Sequence, residues 1–141
     1  MSWQHSVNRT MGAVNRALYR ASGGRIGGSF KGAPVLLLTT TGRKSGKPRT
    51  MPLLYLRDGD ALVVVASEGG AERNPAWFLN LKADPAVEVE VGRTREQRRA
   101  REATGEERDR LWPKLVEMYG PYEDYQRKTG RTIPVVLLER S

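Results

Sequence analysis

The sequence predicts a mainly β fold with a few helices (α+β), an open or split β-barrel whose helices lie at its ends. Three observations carry this expectation. Short runs rich in strand-forming residues follow one another through short turns, which is the pattern of an antiparallel meander. Val87, Val89 and Val91 alternate with Glu88 and Glu90, the period of a half-exposed strand. The regular helix–strand alternation of a doubly wound sheet is absent. The chain has 141 residues, so a single domain over 1–141 is expected.

The first element expected is an amphipathic helix at about 7–21, where Val7, Met11, Val14 and Leu18 recur on one face, with Arg9, Arg16 and Arg20 off it. Two readings of it stand: a helix packed on the core, or a basic helix lying at a membrane surface. The glycine-rich stretch from Gly23 to Gly32 ends it. Ala33 to Thr41 reads as a buried strand and Gly42 to Pro48 as a turn. Met51 to Leu56 is a second strand. The Asp58-Gly59 turn signal then leads into a third, Ala61 to Ala66. Asn74-Pro75 has the form of an N-cap followed by a proline in the first helical turn, opening a short helix to Lys82 that Asp84-Pro85 ends. The charged stretch from Thr94 to Ala103 would suit an exposed helix by composition. However, Thr104 and Glu107 form a capping-box pair that starts a helix at Gly105, and this favours a polar strand before it. Leu111, Leu115 and Met118 share a face of that helix, which Gly120-Pro121 closes. A further turn or two follows at Tyr122 to Lys128, and Ile133 to Leu138 is the last strand.

Composition narrows the chemistry. There is no cysteine, which removes disulfides, thiolate metal sites and cysteine nucleophiles. The single histidine, His5, sits near the N-terminus, which argues against a Ser-His-Asp triad or a multi-histidine metal site. No metal site is expected. An enzyme built from this chain would rely on a bound cofactor for its hard chemistry. Lysine and arginine number 24 against 16 acidic residues, a net charge of +8, so the partners expected are anions. No run approaches the roughly 20 apolar residues that span a bilayer, and the N-terminus lacks a signal peptide's apolar region; a cytoplasmic protein is expected. Nucleic acid is not the expected anion, because neither an RNA-recognition aromatic motif nor a helix-turn-helix pattern is present.

Three clusters could carry chemistry. The first is the turn Thr39 to Arg49, where Arg43, Lys44, Lys47 and Arg49 surround Gly42 and Gly46, with hydroxyls at Thr41 and Ser45. Arginine offers forked donors, lysine a point charge and a tight turn its amides, a set suited to a phosphate and further carboxylates. The spacing is not that of a P-loop. The second cluster is the end of the third strand, where Ala66, Ser67, Glu68, Gly69 and Gly70 precede a helix and the glycines allow close approach to a flat ligand. The third is Tyr119, Tyr122 and Tyr125, whose phenols can stack, donate hydrogen bonds or deliver a proton.

At these residues the sequence resembles the deazaflavin-dependent nitroreductases, also described as deazaflavin-dependent quinone reductases, of actinobacteria. The segments that carry the resemblance are Leu38 to Tyr55, Ala66 to Gly70 with Asn74 to Trp77, Asn80 to Lys82, Trp112-Pro113 and Tyr119 to Gln126. The resemblance implies a split β-barrel of the FMN-binding kind that holds coenzyme F-420, a reduced 8-hydroxy-5-deazaflavin. It implies an oxidoreductase that transfers hydride to a quinone, nitroaromatic or activated alkene. By that match Arg43, Lys44, Ser45, Lys47 and Arg49 grip the cofactor's phosphate and glutamate tail. Met51, Pro52, Leu53 and Leu54, then Ala66, Ser67, Glu68, Gly69 and Gly70, lie along the deazaflavin, and Asn80 joins the cofactor set. Ser67, Tyr119, Tyr122, Tyr125 and Trp77 face the substrate, with Tyr122, Tyr125 and Ser67 as the catalytic candidates and Tyr122, Tyr125 or water as the proton source. The resemblance also implies peripheral contact of the N-terminal helix with anionic lipid at the inner face of the plasma membrane. One departure stands out: Glu68 occupies a position where family members often carry lysine. The alternative enzyme class is a split-barrel oxidoreductase using FMN.

Overall fold

The computed structural model describes residues 29–30 and 32–141. The expected helix at 7–21 and His5 lie outside the described residues. Among the described residues there are eight strands: β1 (Ser29–Phe30), β2 (Ala33–Thr41), β3 (Pro48–Leu54), β4 (Leu56–Asp58), β5 (Ala61–Val65), β6 (Ala86–Val91), β7 (Thr94–Glu102) and β8 (Val135–Arg140). Three helices accompany them, α1 (Ala76–Ala83), α2 (Gly105–Met118) and α3 (Pro121–Lys128), with a single 3₁₀ turn at Glu68–Gly70.

Every strand pair is antiparallel, in the order β1-β2-β6-β7-β8-β5-β4, and β3 pairs with β2 along its whole length. β3 and β4 are two halves of one bent strand. The bend is at Tyr55, whose N–H donates to the Pro34 carbonyl at 3.1 Å. One half pairs with β2 and the other with β5, so the path of strands curls back on itself. The expected meander is therefore present, with its middle strand split between two partners. That strand begins at Pro48 rather than Met51, because the turn before it is closed within residues 42–47.

The period of two places alternate side chains on opposite faces of this curled sheet. Leu36, Leu38, Val64, Val89, Val136 and Leu138 point inward into one buried cluster. Burying each such aliphatic side chain contributes about 1.5–3 kcal/mol. Trp77, Phe78 and Leu81 of α1 join this cluster and plug one end of the barrel. On the outer face, Val63, Val65, Val135 and Leu137 meet Leu111 and Leu115 of α2 and Tyr122 of α3.

The stretch from Thr94 is a strand, as its position before the capping box requires. Its inward positions are Ala100, Arg98 and Glu96. The buried Arg98 is matched by Glu96 and donates to the Leu138 carbonyl at 2.9 Å. The capping box is formed: Thr104 Oγ1 accepts from the Glu107 N–H at 3.3 Å, and Glu107 Oε1 accepts from the Thr104 N–H at 2.9 Å. The expected Asn74 cap is not. Pro75 occupies the N-cap position of α1, and the Asn74 side chain instead accepts a hydrogen bond from Arg131. No helix among the described residues is long and apolar enough to cross a membrane.

Candidate functional site

The basic turn joins β2 to β3 at the end of the barrel that α1 closes. Its backbone is tight: the Gly42 N–H donates to the Lys47 carbonyl and the Gly46 N–H to the Gly42 carbonyl, both at 2.8 Å. A Cβ on Gly42 would lie 2.6 Å from Ser45 Oγ and 3.2 Å from the Lys47 carbonyl oxygen, so a side chain there would require the Ser45 hydroxyl to turn away and crowd the turn backbone. Gly46 has a φ of +72°, the left-handed region that glycine enters freely. Arg43, Lys44, Lys47 and Arg49 are all exposed, and none pairs with a carboxylate among the described residues.

Asn80 of α1 fixes this turn to the barrel. Its side chain is 5 % exposed. Its Oδ1 accepts from the Arg43 backbone N–H at 3.1 Å and from Arg43 Nη1 at 3.4 Å, and its Nδ2 donates to Thr40 Oγ1 at 3.2 Å. The carboxamide is thus engaged within the protein. Asn80 sets where Arg43 stands, and this redefines the contact role expected for it.

The path from the turn follows the outer face of β3. Pairing sets Thr50 opposite Thr39, Pro52 opposite Leu37 and Leu54 opposite Val35. The Thr39 and Thr50 hydroxyls hydrogen-bond at 2.7 Å. Met51 and Leu53 pack into the barrel interior and Ala66 is fully buried there, so of the expected strand contacts Pro52 and Leu54 are the side chains on the outer face. The alternation of a strand forbids four consecutive residues from facing one ligand. From Arg49 to Leu54 the strand spans about 17 Å at its usual rise.

At the far end of that path stand the tyrosines. Tyr119 caps α2 and the other two belong to α3, so they are not on one continuous helix, yet they converge. Ring centroids lie 5.0 Å apart for Tyr119–Tyr122, 6.3 Å for Tyr119–Tyr125 and 6.4 Å for Tyr122–Tyr125. The Tyr119 and Tyr125 hydroxyls are 3.3 Å apart. Phe30, an exposed aromatic, sits 6.1 Å from Tyr119, and Leu54 packs against the same cluster. Tyr122 is 4 % exposed, and burial pushes its phenol well above the ordinary tyrosine value. Its hydroxyl makes no hydrogen bond among the described residues.

The turn after β5 packs against this cluster. A Cβ on Gly70 would come within 3.0 Å of both Cα and the carbonyl oxygen of Tyr125, so glycine is what lets the turn lie on α3. Ser67 is half-buried at its start and Glu68 is exposed. Arg131, which sequence reasoning missed, reaches back to this turn from the loop after α3. A single arginine in a loop carries no periodic or motif signal that could have marked it. Trp77 is a correction: its indole is 5 % exposed and lies in the barrel interior against Phe78, while the tyrosines cluster on the outer face. It serves the core that supports α1.

A curled antiparallel barrel with a cationic turn at one end of an outer strand and a phenol cluster at the other defines a class. It is the class of barrels that present a cationic turn and an aromatic cluster along one outer strand. Comparison with known proteins narrows the class. Residues 12–140 match the family described as F420H(2)-dependent quinone reductase, and the chain belongs to that family. A quinone reductase of that description from Mycobacterium tuberculosis is 48 % identical over 131 residues, covering 90 % of this chain and 88 % of the relative. Among solved structures, an F420-H2 dependent reductase is 47 % identical with a TM-score of 0.70, over 75 % of this chain and 94 % of that one. A second, described as a domain-swapped dimer, is 38 % identical with a TM-score of 0.72, over 96 % and 98 %.

Proposed function

We propose that this protein oxidises reduced coenzyme F-420 and passes the hydride to a small organic acceptor of the quinone, nitroaromatic or activated-alkene kind. The observation that carries the reading is the order of groups along β3. Four cations with no carboxylate partner among the described residues stand at its start, a threonine–proline–leucine strip follows, and the tyrosine cluster closes its end. Membership of the quinone reductase family supports it.

The residues present fit such a cofactor. Arg43, Lys44, Lys47 and Arg49 would hold its phosphate and carboxylates, with the Ser45 hydroxyl and the turn amides beside them. The outer side chains of β3 and the Ser67–Gly70 turn would flank its ring. When bound, the deazaflavin supplies a hydride donor whose central ring position is carbon, which favours two-electron transfer.

The protein's own groups do the remaining work. Asn80 holds the Arg43 backbone, and hence the tail site, in place. Tyr119, Tyr122 and Tyr125 wall the acceptor region with aromatic surface and restrict water there. Burial keeps the Tyr122 phenol protonated, so its Oη can donate a hydrogen bond to an acceptor oxygen as charge develops. Tyr125, whose hydroxyl lies beside that of Tyr119, offers the second proton route, and Ser67 adds a hydroxyl at the rim. With its basic character, the protein is proposed to work in the cytoplasm, its N-terminal segment touching anionic lipid at the inner face of the plasma membrane.

A titration of the purified protein with reduced and oxidised coenzyme F-420, with FMN in parallel, tests this by tryptophan quenching. The expected result is tight F-420 binding that weakens in Arg43→Ala and Lys44→Ala. Binding of FMN alone would move the protein to an FMN-dependent class, and binding of neither would overturn the reading of the basic turn.

A further inference from the structure

Arg131 lies between α3 and β8, outside every motif used above. Its guanidinium donates three hydrogen bonds into the segment before α1. Nη2 reaches the Ser67 carbonyl at 2.9 Å, Nε the Ala71 carbonyl at 2.8 Å and Nη1 the Asn74 Oδ1 at 2.7 Å. Its own carbonyl accepts from Gln126 Nε2 of α3 at 2.7 Å, and Gln126 Oε1 accepts from the Ile133 N–H at 2.9 Å. Arg131 therefore joins the two elements that carry Ser67 and the tyrosines.

The turn it grips has three successive residues at left-handed φ: Glu68 at +47°, Gly69 at +62° and Gly70 at +83°. The glycines adopt this freely, whereas Glu68 does so only because its surroundings hold it. Glu68 and Glu72 directly follow the two residues whose carbonyls Arg131 holds, and both carboxylates act on its guanidinium.

We propose that Arg131 is a positioning residue of the cofactor site: it locks the Ser67–Gly70 turn against the tyrosine helix, and its charge offsets Glu68 and Glu72 so that the turn can face an anionic ligand. This rests on the reading of the site given under the proposed function. It accounts for the tolerance of a carboxylate at Glu68. The lock needs the planar fork, because three acceptors in different directions are met at once; the offset needs only a positive charge. Lysine would keep the second and lose the first, so the two parts separate.

The test uses the full chain as wild type, Arg131→Lys, Arg131→Met, and each again with Glu68→Gln. Two readouts are taken: amide hydrogen exchange over residues 67–74 without cofactor, and the Kd for reduced coenzyme F-420. Both Arg131 variants are expected to lose protection at the Gly70 and Ala71 amides by about tenfold, as for the loss of one good charge-assisted hydrogen bond. Glu68→Gln is expected to tighten F-420 binding by about tenfold in the Arg131→Met background and by about twofold in the Arg131→Lys and wild-type backgrounds. Equal tightening in all three backgrounds would overturn the offset, and unchanged exchange would overturn the lock. If the wild type does not bind F-420 while exchange changes as expected, the cofactor reading and the offset fall together and the lock stands. Should Arg131→Met fail to fold, the Arg131→Lys exchange data decide the lock. The offset is then tested with Arg131→Gln as the uncharged background in place of Arg131→Met, with the same tenfold and twofold expectations.

Discussion

Replacing Asn80 by alanine tests how the cation turn is held. Three contacts disappear: the Arg43 N–H loses its acceptor at 3.1 Å, Arg43 Nη1 loses one at 3.4 Å, and Thr40 Oγ1 loses its donor at 3.2 Å. The 3.4 Å contact is long and ends on an exposed guanidinium that water can solvate, so it adds little. The other two are made by groups that alanine leaves short of partners. Thr40 is 1 % exposed, so its hydroxyl cannot turn to bulk water. At about 1 kcal/mol for each net hydrogen bond, with a further penalty for the buried hydroxyl, the loss is about 2–3 kcal/mol. For a chain of this size that is a fall of about 5–10 °C in Tm. The turn should also lose its fixed position relative to β3, so affinity for coenzyme F-420 should drop while the four cations remain.

Asn80→Asp separates the two effects. It keeps an acceptor for the Arg43 N–H, and the Thr40 hydroxyl can rotate to donate instead, so stability should fall less. Its carboxylate, however, stands beside Arg43 and competes with an anionic tail. Thermal unfolding and F-420 titration of both variants check this. An alanine variant that unfolds at the wild-type temperature, or that melts early yet binds F-420 with wild-type affinity, would refute the idea that Asn80 positions the tail site.

Two further outcomes follow from the same geometry. Gly70→Ala should destabilise the protein by about 1–3 kcal/mol, because alanine is strained at a φ of +83° and its Cβ meets Tyr125 backbone at 3.0 Å. Turnover should fall with it as the Ser67 turn is pushed off α3, whereas Gly69→Ala, with open space around it, should show the backbone strain alone. Tyr122, its phenol raised by burial, should stay protonated at about pH 10, where an unperturbed model phenol ionises. In a spectrophotometric titration of the folded protein Tyr122→Phe should therefore leave the tyrosinate absorbance developed up to about pH 10 unchanged. The linkage sign follows: the raised folded value contributes no pH dependence below about pH 10 and lowers stability as pH rises above it, since the unfolded chain ionises first. Native-state ionisation of Tyr122 near pH 10 would contradict the burial argument.

Much of the fold was legible in the chain because it rests on local rules. The alternation Val87, Val89 and Val91, the capping pair Thr104 and Glu107, and the apolar run from Ala33 each declare their backbone without help from distant residues. The strand at Thr94 needed one inference, that a capped helix start leaves no helix before it. The cationic turn was legible for the same reason: Arg43, Lys44, Lys47 and Arg49 are neighbours in sequence, so their charge is concentrated whatever the fold.

Tertiary structure decided everything that depends on which face a residue shows and what crosses the chain to meet it. Period two alone says that Met51 and Pro52 part company; only the closing of the barrel says that Met51 goes in. Trp77 looks like a ligand contact beside Asn74-Pro75, but α1 enters the barrel end and takes the indole into the core. Asn74 looks like a helix cap until Arg131 claims its side chain. Arg131 itself is invisible in sequence, since its three acceptors lie 57 to 64 positions away. A short helix, a hairpin and a loop arginine each have a readable backbone or charge of their own. The hydrogen bonds of Asn80 and Arg131 exist only where folding brings distant acceptors within about 3 Å of a donor, and no local pattern encodes that distance.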